Sequence, residues 1–290
     1  MTTLRSRVGA TAPYRTLTVD GVTLAFDDEG AGPPVVCLHA IGHGAGDFAR
    51  LLAHLRGRHR VLALDWPGQG CSARDHRPTS AGRYTDLLEG FLDAAGVERA
   101  VLVGNSIGGA VAIRYAAAHR DRVHGLVLAN PGGLDKGGDL MARLAVGGMI
   151  RFFDAGARGA WWYPRAFGAY CRMVLSGAPA AEQRRRIVAS ASEIAPVLAE
   201  AWRSFGQADA DIRGLAPRVS CPVLFTWAEG DRINQLARCR AAIGAFPNAT
   251  LETFPGGHAA FLEVPDAFEA SIDRFLARLA VDRPQASAEP

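Results

Sequence analysis

The 290-residue sequence predicts an α/β fold in which helices cover both faces of a mostly parallel sheet. Five short apolar runs carry this prediction: VVCLH (35–39), VLALDW (61–66), AVLVGN (100–105), LVLAN (126–130) and VLFTW (223–227). Segments with helical spacing separate most of them, such as YTDLLEGFLDAAG and AVAIRYAAAH. Nearly continuous apolar strands that alternate with amphipathic helices are typical of a parallel sheet buried on both faces.

A β-hairpin is predicted ahead of these strands. Residues 14–28 alternate polar and apolar side chains, with Asp20-Gly21 at their centre. An Asp-Gly pair between two alternating segments is a strong hairpin signal. We therefore expect antiparallel strands at one edge of the sheet.

The alternation of strands and helices stops after residue 133. The following segment has helical spacing and no strand-like run, and the strand pattern returns near residue 222. The expected division is a core of residues 1–133 and 216–280, a helical insertion of residues 134–215, and a flexible tail of residues 281–290.

Composition excludes several classes of protein. The formal net charge of +3 is too small to indicate a nucleic-acid partner. Five cysteines without CxxC spacing favour a reducing compartment over a disulfide framework, and His39 and His43 have no third ligand after them for a metal. No segment approaches the roughly 20 apolar residues of a transmembrane helix, and the amino terminus lacks a signal-peptide core. We therefore expect a cytoplasmic protein with no membrane, metal or nucleic-acid partner.

Residues 104–108 read Gly-Asn-Ser-Ile-Gly and contain the pattern G-x-S-x-G. The pattern follows an apolar run and precedes a helix-like segment, so Ser106 is expected at a sharp strand-to-helix turn. Such a turn exposes the serine hydroxyl, and the glycines let the strand and the helix approach closely. The helix amino terminus would direct N–H groups toward developing negative charge. Ser106 is therefore a candidate nucleophile, and a serine in an ordinary turn is the structural alternative.

A nucleophilic serine needs a general base and a group that orients this base. His258 lies in a glycine-containing loop after the last strand-like run, at the sheet edge that would also carry Ser106. Asp231 also follows a strand at that edge, although an Asp there is also a common helix cap. Asp135 is the rival acid, but it lies farther beyond its strand. We therefore expect His258 to be the base and Asp231 to be the acid.

An oxyanion that forms during nucleophilic attack needs hydrogen-bond donors. The N–H of Ile107, directly after the candidate nucleophile, is the first predicted donor. The second predicted donor is the N–H of Ile41, in the loop HAIGHGAGDF that follows an earlier strand. This set of groups requires no metal and no organic cofactor.

At these residues the chain resembles the α/β-hydrolase superfamily over nearly its whole length. The matching segments, in the family's order, are LHAIG, DWPGQGCS, GNSIGG, WAEGD and GGHAAFLEVPDAF. The resemblance implies an α/β-hydrolase fold, the chain order of nucleophile, acid and base, and a helical cap that shapes a substrate pocket over the serine. Asn105, Trp161 and Trp162 are the candidate substrate-binding residues, and packing in the cap core is the alternative for the two tryptophans.

The resemblance identifies the fold more specifically than it identifies the substrate or the bond that is cleaved. Gly104-Asn105-Ser106 and the glycine-rich loop look like those of carbon–carbon bond hydrolases that cleave aromatic ring-fission products. That group has Trp after its catalytic His and Asn at the end of its oxyanion loop, where this chain has Ala259 and Ala49. We therefore expect a serine hydrolase that cleaves an ester or lactone of a small, largely apolar substrate. A carbon–carbon bond hydrolase acting on a ring-fission dienoate or β-diketone, and a non-catalytic ligand-binding homologue, are the alternatives, and a homodimer stays open.

Overall fold

A computed structural model describes residues 14–135 and 140–281. In this part of the chain the strands are β1 (Arg15–Val19), β2 (Val22–Glu29), β3 (Pro34–Leu38), β4 (Arg60–Leu64), β5 (Ala100–Asn105), β6 (Val123–Ala129), β7 (Val223–Ala228) and β8 (Ala249–Phe254). The α-helices are α1 (Ala49–Leu55), α2 (Ala81–Ala94), α3 (Ile107–Ala118), α4 (Leu140–Ala157), α5 (Tyr163–Val174), α6 (Ala181–Ala189), α7 (Ala191–Phe205), α8 (Leu236–Ile243), α9 (Ala260–Glu263) and α10 (Pro265–Val281).

The strands form one sheet in the order β1-β2-β4-β3-β5-β6-β7-β8. The pairs β1–β2 and β2–β4 are antiparallel, and the other neighbouring strands are parallel. The predicted hairpin is β1–β2, and Asp20 and Gly21 join its strands with φ of 47° and 76°. Positive φ at both central residues matches the twist of a two-residue hairpin. The prediction of a mostly parallel sheet with an antiparallel edge is confirmed.

Helices bury the central strands from both faces. On β5, Leu102 packs into a hydrophobic cluster that includes residues of α2 and α3. Its neighbours Val101 and Val103 point the other way and pack with residues of α1 and α10. This burial on both faces explains why the strands read as continuous apolar runs instead of alternating ones.

Helices α4 to α7 lie between β6 and β7, in the segment expected to be a helical insertion. No strand occurs in residues 134–135 or 140–215. Helix α4 packs along α7, and the Phe153 ring lies 6.2 Å from the ring centroids of both Phe167 and Trp202. The limits of the core and the insertion remain predictions, and the expected tail lies outside the described residues except for Val281. Across residues 14–135 and 140–281, none of the helices has the length and hydropathy needed to cross a membrane.

The contact between α3 and the sheet leaves no room for side chains at two glycines. A Cβ atom on Gly108 would lie 2.1 Å from the carbonyl oxygen of Leu38. A Cβ atom on Gly104 would lie 2.6 Å from the carbonyl oxygen of Gly108. Since both obstacles are backbone atoms, they cannot move aside as a flexible side chain would. The two glycines therefore set how closely α3 approaches the ends of β3 and β5.

We expect Gly108→Ala to destabilise the protein by about 1–3 kcal/mol or more, because overpacking at a rigid site forces backbone shifts. Gly148→Ala is the matched control, because Gly148 lies within α4 and a Cβ atom there meets nothing within 4 Å. Alanine should raise the stability of that helix by about 0.5–1 kcal/mol. Denaturant unfolding measures both changes. Equal stability of the two variants would contradict the proposed role of the close contact.

Candidate active site

Ser106 lies at the turn between β5 and α3, in a backbone conformation that is rare for a residue with a side chain. Its φ is 54° and its ψ is −116°. The surrounding backbone holds this conformation, because the Ser106 N–H donates to Ala129 O at 3.1 Å and Ser106 O accepts from Gly132 N at 2.9 Å. Strained backbone of this kind is maintained where it serves a function. All residues of α3 except Arg114 and Ala118 are buried, so the helix that carries Ser106 is fixed in the core.

His258 lies in the loop between β8 and α9, and it is almost fully buried. Its Nδ1 lies 2.7 Å from Asp231 Oδ2, and its backbone carbonyl accepts a hydrogen bond from Asn105 Nδ2 at 2.9 Å. The same Asn105 amide donates to Ala129 O at 2.8 Å. Asn105 is fully buried and is not among the residues that line the cavity described below, so the structure gives no support to its prediction as a substrate-binding residue. Its side chain instead anchors the loop of His258 to the sheet.

Asp231 follows β7, and its two carboxylate oxygens have different partners. Oδ1 accepts hydrogen bonds from the N–H groups of Ile233 and Asn234, at 2.7 and 3.1 Å. Oδ2 faces His258 and also accepts from Asn130 Nδ2 at 2.7 Å. The carboxylate therefore stabilises the turn after β7 and contacts the imidazole, and it does not cap α8, whose N-cap position is Gln235. The role of Asp231 as the acid remains a prediction. The rival, Asp135, pairs instead with Arg238 Nε at 2.7 Å.

The pKa of His258 results from opposing effects. Burial by itself lowers the pKa, because the neutral imidazole is favoured away from water. The charge of Asp231 and its hydrogen bond outweigh burial, and the charge of Glu263 adds to them. The pKa of His258 therefore lies above its ordinary value of 6.5. A general base of this kind is well placed to take up a proton near neutral pH.

A largely apolar cavity lies over Ser106 and His258. It is lined by Ala40, Ile41, Gly42, His43, Ser106, Phe167, Tyr170, Cys171, Val174, Leu175, Ile187, Leu198, Trp202, Phe205, Ile233 and His258. The core contributes the polar side chains of Ser106, His43 and His258, and α5, α6 and α7 contribute most of the apolar wall. No lysine, arginine, aspartate or glutamate is among the described residues that line it.

Trp161 and Trp162 are not among the residues that line this cavity, so the structure gives no support to the prediction that they bind substrate. Trp161 is 86% exposed and Trp162 is 38% exposed. The reason is the starting point of α5: its first residue, Tyr163, turns inward and packs fully buried against Phe153 and Phe167. The two preceding tryptophans are left on the outer surface.

The loop that contains Ile41 is held by the segment read as DWPGQGCS. Gln69 Oε1 accepts a hydrogen bond from Gly42 N at 2.7 Å, and Gln69 Nε2 donates to the Tyr84 hydroxyl at 3.0 Å. Asp65 Oδ1 accepts from Ala45 N at 2.6 Å in the same loop. These bonds fix the backbone that carries the Ile41 N–H beside the cavity. The role of Ile41 and Ile107 as oxyanion donors remains a prediction.

Sequence reasoning missed the buried carboxylate of Glu263. Glu263 Oε2 accepts from Gly257 N, and Glu263 Oε1 accepts from Gly177 N, both at 2.7 Å. Oε1 also lies 3.1 Å from the Ser176 hydroxyl. Glu263 therefore links the α5–α6 connection to the residue next to His258. Its position five residues after His258 was visible in the sequence, but its partner at Gly177 lies 86 positions away and leaves no local signal.

No group of three or more His, Cys, Asp or Glu side chains in residues 14–135 and 140–281 is arranged to hold a metal ion. The buried thiols on and near the site are also poor ligands and nucleophiles. Burial raises the pKa of Cys171, on the cavity wall, to about 12, so this thiol stays protonated. Ser106 and His258, with Asp231 beside His258, therefore remain the candidate reacting groups at the cavity.

The strained serine turn and the buried His–Asp pair at the ends of parallel strands define an α/β hydrolase. Residues 33–265 match the alpha/beta hydrolase fold family, and the chain belongs to that family. It is 28% identical over 267 residues to the pimeloyl-(acyl-carrier protein) methyl ester esterase of Chromobacterium violaceum, covering 88% of this chain and 98% of the esterase.

Two further comparisons cover most of the chain. The chain is 27% identical over 291 residues to the 2-hydroxy-6-oxo-6-phenylhexa-2,4-dienoate hydrolase of Burkholderia cepacia, covering 92% of this chain and 96% of that hydrolase. The solved structure of a thermophilic esterase from Thermogutta terrifontis matches with a TM-score of 0.80 at 24% identity, covering 92% of this chain and 99% of the esterase. This structural match demonstrates the shared fold.

We expect Asp231→Asn to lower kcat by a factor on the order of 10⁴, because an amide no longer stabilises the imidazolium or selects its tautomer. Asp135→Asn is the matched control and should retain nearly full activity, because Asp135 pairs with Arg238 and not with His258. Steady-state hydrolysis of a p-nitrophenyl ester compares the two variants. A larger loss with Asp135→Asn would show that the acid is misassigned.

We expect kcat/KM to rise with pH through an apparent pKa above 6.5, because only the neutral form of His258 accepts the serine proton. Glu263→Gln removes one of the negative charges that raise this pKa, so the acid limb should move to lower pH. A pH profile of kcat/KM for both proteins measures the shift. An acid limb that stays in place or moves to higher pH would contradict this electrostatic account.

Proposed function

We propose that this protein is a serine hydrolase that cleaves an ester or a lactone of a small, largely apolar substrate through an acyl-enzyme on Ser106. One observation carries the proposal: His258, with Asp231 Oδ2 at 2.7 Å from its Nδ1, lines the same cavity as the strained Ser106. Nucleophile, base and orienting acid are the parts that acyl transfer requires.

The proposed reaction has two stages. Ser106 Oγ attacks the carbonyl carbon while His258 takes the hydroxyl proton, and Asp231 stabilises the imidazolium. The N–H groups of Ile41 and Ile107 hydrogen-bond the oxyanion, and His258 returns its proton to the leaving alcohol. Water then attacks the acyl-enzyme with His258 again as the base, which releases the acid and restores Ser106.

The apolar lining of the cavity favours an uncharged substrate. An ester or lactone brings only neutral oxygens to the scissile bond, and its carbon skeleton can pack against the apolar side chains of α5 and α7. The methyl ester esterase of Chromobacterium violaceum, by its name, acts on an ester bond, and its similarity spans 88% of this chain. We therefore favour an ester-type bond.

Carbon–carbon bond cleavage is the second candidate, favoured by the similarity to the dienoate hydrolase of Burkholderia cepacia. A dienoate carries a carboxylate, and the described cavity lining contains no lysine or arginine to pair with it. Burial of an unpaired carboxylate costs several kcal/mol. Ala259 also stands where the carbon–carbon hydrolases have Trp. Both observations favour the ester or lactone over the dienoate.

A fluorophosphonate probe should label the wild-type protein, and peptide mapping should find the adduct on Ser106. Ser106→Ala should abolish both labelling and hydrolysis, because no other described side chain on the cavity is an activated nucleophile. Labelling that persists in Ser106→Ala would refute the assignment of the nucleophile.

A substrate panel distinguishes the two candidate reactions. It contains p-nitrophenyl esters of increasing acyl length, lactones, and a ring-fission dienoate. We expect turnover of neutral esters or lactones with kcat/KM at least tenfold above that of the dienoate. The reverse ranking would favour carbon–carbon bond cleavage, and Ser106 labelling without turnover of any of these substrates would reject both.

A further inference from the structure

The cavity contains a second His–Asp pair that the proposed reaction does not use. His43 lines the cavity, and its Nδ1 lies 2.5 Å from Asp47 Oδ2. The side chain of His43 is 8% exposed, and that of Asp47 is fully buried. A buried carboxylate is costly unless its oxygens are paired. His43 and Asp47 therefore form a buried, hydrogen-bonded pair in the cavity wall, and His43 is not an isolated, solvent-exposed histidine.

Asp47 is paired on both of its oxygens. Gln183, on α6, donates a hydrogen bond from Nε2 to Asp47 Oδ1, while His43 occupies Oδ2. The His43 ring is thus fixed from the loop of Ile41 and, through Asp47, from the helices that cover the cavity. A carboxylate at Nδ1 selects the imidazole tautomer with its proton on Nδ1. The remaining nitrogen, Nε2, is then a hydrogen-bond acceptor.

The surroundings of His43 define what Nε2 can bind. Most of the wall is apolar, and Tyr170 is the other described side chain on it with a hydroxyl besides Ser106. Burial raises the pKa of Tyr170, so its hydroxyl stays neutral. A cavity with a neutral phenol and no lysine or arginine in its described lining disfavours anions. It favours an uncharged group that can donate a hydrogen bond.

We propose that His43, held by Asp47 and Gln183, forms a polar subsite that accepts a hydrogen bond from a hydroxyl group of the substrate. This inference rests on the proposed function, since the hydroxyl belongs to the ester or lactone that Ser106 attacks. It narrows the substrate class to uncharged hydroxylated esters or lactones. His43 acts as a specificity-determining residue and takes no part in the proton transfers at Ser106.

The expected selectivity follows from the shielding of His43. A substrate analogue with a methyl group in place of the hydroxyl leaves His43 Nε2 without a hydrogen-bond partner in a cavity that is largely shielded from water. A site that hydrogen-bonds a substrate hydroxyl discriminates strongly against analogues that lack it. The His43 side chain is slightly exposed, so water can partly replace the missing hydroxyl. We therefore expect kcat/KM to be about 10- to 100-fold higher for the hydroxylated ester, a smaller ratio than at a fully buried site.

The test compares kcat/KM for pairs of p-nitrophenyl esters that differ only by a hydroxyl or a methyl group, placed at successive acyl carbons. The wild-type protein should prefer the hydroxylated member at least tenfold at one of these positions. His43→Leu should reduce that ratio to about one. His43→Gln should restore part of it, because a glutamine amide places a polar atom close to the position of His Nε2. Trp161→Ala is the control and should keep the wild-type ratio, since Trp161 is exposed outside the cavity.

The outcomes separate this inference from the proposed function. An active wild-type protein without preference for any hydroxylated ester, or an unchanged ratio in both His43 variants, overturns the subsite alone. A wild-type protein that turns over none of the esters or lactones overturns the proposed function and the subsite together, whether or not Ser106 reacts with the probe. The wild-type preference is measured without any variant, so misfolding of His43→Leu does not remove the test.

Discussion

The site depends on the close contact between the amino terminus of α3 and the ends of β3 and β5. At Gly108 the helix backbone approaches the Leu38 carbonyl so closely that a single methyl group would collide with it. This approach forces the chain to turn within one residue, and Ser106 takes the strained conformation at that turn. It also places the first N–H groups of α3 beside the loop that follows β3, which carries Ile41. The backbone geometry at Ser106, on which the proposed acyl transfer depends, therefore results from close packing between backbone atoms.

Buried carboxylates join the chain segments that cover the cavity to His258 and His43. Glu263 binds the backbone beside His258 with one oxygen and the α5–α6 connection with the other. Asp47 likewise has one oxygen on His43 and the other on Gln183 of α6. Loss of a partner leaves a buried carboxylate uncompensated, which costs free energy. Displacement of these helices would therefore alter the hydrogen bonds that hold both histidines. The segments that cover the cavity and the two histidines thus form one connected structure.

Much of the fold, and the turn and loop positions of Ser106, Asp231 and His258 at one edge of the sheet, could be predicted because their signals are local. A continuous apolar run, an Asp-Gly pair and a glycine-flanked serine each describe a few neighbouring residues. The features that the sequence did not predict depend on distant segments. Trp161 and Trp162 point outward because α5 begins at Tyr163 and buries that ring against α4, which their own sequence does not encode. Asn105 supports His258 across 153 positions, and such a contact has no periodicity to detect.

A crystal structure of the wild-type protein carrying a phosphonate adduct on Ser106 tests the account most directly, because the tetrahedral phosphonate mimics the acyl-transfer intermediate. The account predicts that the phosphonyl oxygen accepts hydrogen bonds from the N–H groups of both Ile41 and Ile107. It also predicts that His258 keeps its contact with Asp231. A phosphonyl oxygen that points away from both amides, or a His258 that has left Asp231, would contradict it.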